Sequence, residues 1–148
     1  MSADEYFKKV LIVEDDYAFR DPLRDFLSVR SLTIITADNG EQAMEKLLFH
    51  KPHLIILDML MPKVDGFEFL RRIRSFPEPE VANIPVIVLS NLSGPRDIEQ
   101  AQELKVDAYF IKSETTNDEV FRKVQEVLYK GVPPPKEEVI DFRKFIGE

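Results

Sequence analysis

Three acidic residues in a row, Glu14-Asp15-Asp16, follow the apolar run Val10-Leu11-Ile12-Val13. Adjacent carboxylates repel one another, which raises the cost of keeping all of them ionised. A divalent cation removes that cost. Hard oxygen ligands suit Mg²⁺, which binds through one or two carboxylates, waters and a phosphate-type ligand. Taken alone, the triplet reads equally well as a solvated acidic turn whose acids cap a helix. A further carboxylate, Asp58, ends the run Leu54-Ile55-Ile56-Leu57. A charge directly after a buried strand is expensive unless it stands at the strand's end, at the mouth of a cleft. Alone, Asp58 also fits a turn or a helix cap. Two more apolar runs close on polar groups that could meet these acids: Val86–Leu89 on Ser90, and Ala108–Ile111 on Lys112.

These runs are short and rich in β-branched residues, which suits strands buried on both faces better than helices. Leu32–Ala37 (LTIITA) completes a set of five. Between them the spacing of apolar residues predicts helices. Phe19, Leu23, Phe26 and Leu27 mark one over Tyr17–Arg30, in which Pro22 either bends the helix or sits in the first turn of a regular part that begins near Asp21. Asp38-Asn39-Gly40 is a turn before a helix over Gly40–Phe49. Met61-Pro62 and Asp65-Gly66 lead into a third helix on Phe67, Leu70 and Ile73, whose Arg71, Arg72 and Arg74 form a solvated face. Phe76–Pro85, with three prolines, reads as a loop. Gly94-Pro95 opens a helix to Leu104. Thr116 and Glu119 make a capping box before a helix carrying Val120, Phe121, Val124, Val127 and Leu128, with Gly131 as its stop.

Five strands alternating with five helices predict an α/β fold. It is a doubly wound five-stranded parallel sheet with right-handed crossovers, in three αβα layers. The flavodoxin-like strand order 2-1-3-4-5 sets the ends of strands 1, 3, 4 and 5 side by side, where such sheets bind ligands. Glu14-Asp15, Asp58, Ser90 and Lys112 then share one edge.

Length and composition bound the rest. The 148 residues fit one domain, 44% hydrophobic and 32% charged. A net charge of −7 argues against sequence-independent binding to nucleic-acid phosphates. There is no cysteine, hence no disulfide or thiol chemistry. No apolar run approaches the ~18 residues of a membrane span, and MSADEYFKK lacks a signal-peptide core. The expectation is a soluble, cytoplasmic protein with neither membrane insertion nor direct nucleic-acid binding.

Over roughly Lys9 to Lys130 the sequence resembles the receiver domain of bacterial response regulators, in the single-domain, chemotaxis-regulator-like form. The resemblance rests on Glu14-Asp15, the block Asp58-Met59-Leu60-Met61-Pro62-Lys63-Val64-Asp65-Gly66, Ser90, and Tyr109 three before Lys112. It implies that Asp58 is the phosphoacceptor. Asp15, assisted by Glu14, would bind Mg²⁺ (or Mn²⁺), with Asp58 and the Leu60 backbone carbonyl completing the protein ligands. It implies that Lys112 neutralises a phosphoryl oxygen and that Ser90 donates to the phosphoryl group. Ser90 would thereby draw in the loop after strand 4, and Tyr109 would turn from exposed to buried. Leu60 and Leu92, two beyond the phosphoacceptor and two beyond the hydroxyl, would flank the path of hydrolytic water. The implied function is a phosphorylation-dependent switch of a two-component system. It would be charged by a sensor histidine kinase and read out by an unknown protein target, the alternative being a relay intermediate that hands the group to a histidine phosphotransfer protein. Such a chain catalyses its own Mg²⁺-dependent phosphorylation and dephosphorylation without being a turnover enzyme.

The sequence departs from the family at Ser113, where a proline usually follows the lysine, often with a cis bond. A non-proline cis bond costs ~3 kcal/mol, so a trans bond is expected here. Residues 1–8 read as a leader and 9–131 as the receiver. Residues 132–148 read as a Pro133-Pro134-Pro135 spacer and a short tail whose Val139, Phe142, Phe145 and Ile146 fit one side of a helix or a frayed end. That tail is too short for a DNA-binding output domain. A hydrolase using Asp58 as nucleophile in the haloacid-dehalogenase manner wants a second Asp where Leu60 stands. A pseudo-receiver would be expected to have lost an acid, Asp58 or Lys112, and all are present.

Overall fold

In the computed structural model, which describes residues 7–130, five parallel strands are ordered β2-β1-β3-β4-β5. They are β1 (Lys8–Val13), β2 (Leu32–Ala37), β3 (Leu54–Leu57), β4 (Val86–Ser90) and β5 (Ala108–Ile111). Six helices join or flank them: α1 (Tyr17–Ser28), α2 (Gly40–His50), α3 (Gly66–Arg74), α4 (Pro79–Ala82), α5 (Pro95–Glu103) and α6 (Asn117–Leu128). Side chains alternate across a strand, and the two cores follow that alternation. Leu11, Val13, Ile55, Leu57, Val86 and Val88 face one way, against α2, α3 and α5. Val10, Ile12, Leu54, Ile56, Ile87 and Leu89 face the other, against α1 and α6. The sheet is thus covered on both sides, the three-layer arrangement expected.

Four expectations change, the last of them at Arg74. Helix α1 runs unbroken from Tyr17 through Pro22, so its regular part does not begin near Asp21. Asp16 fixes the start by accepting the Ala18 amide at 3.0 Å, and burial of Leu23 and Leu27 holds the helix beyond the proline. The proline-rich stretch after α3 contains a helical turn, α4, with Pro79 at its first positions, where a missing N–H costs nothing. Pairing in β1 begins at Lys8 with Leu32, two residues before the apolar run Val10–Val13. The Gly131 stop and the tail lie outside the described residues; α6 ends at Leu128, with the capping box of Thr116 and Glu119 in place at its start.

Arg74 is not part of a solvated face. Its guanidinium donates to the carbonyls of Leu104 (2.8 Å), Ala82 (3.0 Å), Ile84 (2.8 Å) and Lys105 (3.1 Å). It therefore ties the end of α3 to the loops that enter β4 and β5. Arg74→Ala leaves these acceptors without a donor and should lower stability by about 2 kcal/mol, read as an earlier midpoint in urea unfolding; Arg71→Ala, on the exposed side, should not.

Candidate functional site

Register brings the site together. Val13 of β1 pairs with Leu57 of β3, so Glu14 and Asp58 follow side by side. Leu57 pairs with Val88, two before Ser90, and Ser90 pairs with Ile111, which precedes Lys112. The Glu14 amide bonds to the Ala37 carbonyl (3.0 Å) and the Asp58 amide to the Val13 carbonyl (3.1 Å), extending the ladder one step past the strands. Asp65 caps α3 through the Glu68 amide (2.9 Å). Gly66 lets that helix start against the loop after β3, since a Cβ there would stand 2.7 Å from the Asp58 carbonyl oxygen and 2.6 Å from the Met59 Cα.

The acidic triplet divides its work. Asp16 is the helix cap. Glu14, Asp15 and Asp58 converge, with one carboxylate oxygen from each inside 4.8 Å of the others. Glu14 and Asp58 are buried, at 3% and 5% exposure, while Asp15 faces outward. The Lys112 ammonium bonds to Glu14 Oε1 and lies 3.1 Å from Asp58 Oδ2. Asp58 Oδ1 accepts the Leu60 amide at 3.1 Å. Ser90 is fully buried and its Oγ accepts the Leu92 amide at 3.2 Å. Tyr109, half-buried, donates its hydroxyl to the Leu92 carbonyl at 2.5 Å. Leu92 is therefore held from both sides, by the hydroxyl and by the aromatic that the sequence singles out.

Of the three clustered carboxylates one ammonium pairs with two, Glu14 and Asp58, and the electrostatics record the shortfall. Burial drives the Glu14 carboxyl upward, the hydrogen bond from Lys112 pulls it back, and the charge of Asp58 pushes it up again, leaving it at about 7. Burial lowers Lys112, but the bond to Glu14 and the charge of Asp58 outweigh it and the net displacement is upward. Burial, followed by the charges of Asp97 and Asp58, raises the Tyr109 phenol. Carboxylates crowded until one resists ionising are a donor set suited to a hard divalent cation. The cluster of Glu14, Asp15 and Asp58 fits the Mg²⁺ or Mn²⁺ site of receiver domains.

A stability prediction follows. Because the folded pKa of Glu14, about 7, lies above its ordinary 4.5, its contribution is greatest below pH 4.5 and is lost as pH rises through 7. In EDTA, wild-type protein should lose melting temperature relative to Glu14→Gln between pH 5 and pH 8, and saturating Mg²⁺ should close the gap at pH 8. Parallel curves for the two proteins in EDTA would contradict it.

Three neighbours were not singled out for the site from the sequence. The Phe19 ring, placed by its spacing in the α1 core, lies 4.5 Å from the Lys112 ammonium and supports it by cation–π attraction. Arg20 donates to the Glu14 carbonyl (3.3 Å) and pairs with Asp38, bracing the turn that carries the acids. Asn91 Oδ1 accepts the Ser113 amide at 3.2 Å. A proline at that position has no such donor, so the departure at Ser113 adds a bond between the two loops. The Lys112–Ser113 peptide is trans, as expected.

A family model described as the response regulator receiver domain matches residues 10–125. The chain belongs to that family. Among solved structures, the phosphorylated cyanobacterial phytochrome response regulator RcpA is 30% identical, with a TM-score of 0.71 over 88% of this chain and 99% of that one. The Mn²⁺-bound form of response regulator Rcp1 is 28% identical, with a TM-score of 0.69 over 87% of this chain and 99% of that one. The sensory transduction protein BceR of Halalkalibacterium halodurans is 32% identical over 120 residues, 81% of this chain and 49% of that protein. The receiver thus spans half or less of the curated relatives it matches. Among its described residues no helix is long and apolar enough to cross a membrane.

Proposed function

We propose that this receiver takes a phosphoryl group from a sensor histidine kinase onto Asp58 and signals through the altered binding of a partner protein. The observation that carries the proposal is the environment of Asp58. It is a buried carboxylate with the Lys112 ammonium 3.1 Å from Oδ2, beside the acids Glu14 and Asp15. One Asp58 oxygen attacks phosphorus in line and a new P–O bond forms. The bond to the donor breaks, and the leaving group departs with its electron pair. Lys112 moves its charge onto a phosphoryl oxygen, away from the carboxylates it now pairs with. Bound Mg²⁺, held by Glu14, Asp15, Asp58 and the Leu60 carbonyl, would supply neutralisation of the other phosphoryl oxygens.

Ser90 and Tyr109 carry the switch. The Ser90 hydroxyl, which now accepts the Leu92 amide, is free to donate to the new phosphoryl oxygens. Movement of the loop at Leu92 then alters the Tyr109 hydrogen bond, since both meet at that residue. This is a two-state element biased by a local change of charge.

Acetyl phosphate, a small donor that needs no kinase, tests the reading. The full chain should become labelled with Mg²⁺ or Mn²⁺ present and should remain unlabelled in EDTA. Labelling that ignores the metal would remove the acidic cluster from the reaction. A phosphotransfer protein that strips the label onto a histidine would favour the relay over the partner-binding output.

A further inference from the structure

The opposite edge of the sheet, away from Asp58, carries an apolar groove of about 970 Å³. Leu47 and Leu48 at the end of α2 form one wall, and Phe76, Val81 and Ile84 around α4 form the other, with Pro85 on the floor before β4. Among the described residues four large apolar side chains are exposed: Tyr17, Leu48, Phe49 and Leu60. Leu60 belongs to the phosphoryl site and Tyr17 follows its acidic triplet. Leu48, at 45% exposure, lines the groove, and Phe49 beside it in α2 is exposed outside it. Apolar surface gathered in one concave place marks a docking site.

The chain itself leads there. Lys130, the last described residue, has its ammonium 3.7 Å from Asp107. Asp107 is locked to Val86, its amide on the Val86 carbonyl (2.8 Å) and its carboxylate on the Val86 amide (3.0 Å). Val86 follows Pro85, so α6 ends at the same end of the sheet as the groove, beside the start of β5. A run of three prolines can span about 3.1 Å per residue, and Pro133-Pro134-Pro135 lies between Lys130 and the apolar residues that follow. Beyond them Val139, Phe142, Phe145 and Ile146 are spaced for one side of a helix. The charges match in both signs. The groove carries Lys51, with Lys9 bonded to the adjoining His53 and His50, and on the other lip Glu78 and Glu80. The segment offers Glu137, Glu138 and Asp141, then Arg143 and Lys144.

We propose that the segment Lys136–Ile146 docks into this groove of its own chain, setting Phe142 and Phe145 against Leu48, Val81 and Ile84.

The absence of cysteine makes a clean test possible. Glu148→Cys in the full chain is labelled with a nitroxide, and amide signals are compared with the reduced label. Signals of Leu48, Lys51, Val81 and Asn83 should lose about half their intensity or more, while those of Tyr17 and Leu60 are spared. Adding Phe142→Asp and Phe145→Asp should restore the groove signals. Spared groove signals in the singly labelled protein would overturn the proposal. So would broadening that also appears when isotope-labelled, nitroxide-free protein is mixed with nitroxide-bearing protein lacking the isotope, because the occupant would then be a second copy.

Discussion

Asp58→Asn is expected to take up no label from acetyl phosphate at any Mg²⁺ concentration. The amide keeps the shape of the carboxylate; its single oxygen can still accept the Leu60 amide, while Lys112, which loses its Asp58 acceptor, keeps its bond to Glu14. The amide lacks the nucleophilic oxygen anion that the transfer requires. The variant also separates loss of chemistry from loss of fold. In EDTA it should melt no lower than wild type, because it removes one carboxylate of a crowded set and with it the charge that adds to burial in raising Glu14. Full labelling of the variant would take Asp58 out of its role. Loss of label together with a lower melting temperature would point to damage rather than to a missing nucleophile.

Introducing Asn at Leu60 and Glu at Leu92 should shorten the life of the phosphorylated receiver by ~10²-fold, the usual contribution of a group that positions or activates water. Hydrolysis requires water in line with the bond to Asp58. Neither leucine has a side-chain donor or acceptor to hold it. Leu60 is 52% exposed beside Asp58 and shields the approach, while Leu92 packs against the core with its backbone bonded to Ser90 and Tyr109. The expected native lifetime is accordingly long, with switching off left to a phosphatase, to reverse transfer or to a relay. The check is decay of label at fixed Mg²⁺ after removal of the donor. A double variant that decays at the parent rate would assign the lifetime to closure of the site or to the Lys112–Ser113 loop.

What was legible in the sequence was what short-range pattern controls. Four of the five strands are apolar runs that end on residues of the site, so strand order alone collected Glu14, Asp15, Asp58, Ser90 and Lys112 at one edge. The ends of α3 and α6 were legible in Asp65-Gly66 and in Thr116 with Glu119. What escaped depends on contacts between distant segments. Arg74 differs from Arg71 and Arg72 only in facing four carbonyls from residues 82 to 105. The pairing of Lys112 with Glu14, and its seat over Phe19, join residues more than ninety positions apart. The division of the acidic triplet into a cap and a pair of site acids was open in the sequence, since either use suits an acid before a helix. Geometry separates them, because only Asp16 reaches the Ala18 amide.

The central claim is that the phosphoryl group sits on Asp58, and chemical trapping reads this directly. Borohydride reduces an aspartyl phosphate to homoserine, and the peptide mass reports the position. Protein treated with acetyl phosphate and Mg²⁺ should yield homoserine at position 58 and nowhere else, and none when the metal is withheld. Homoserine at position 15, or at any other acid, with residue 58 recovered intact as Asp would contradict the account.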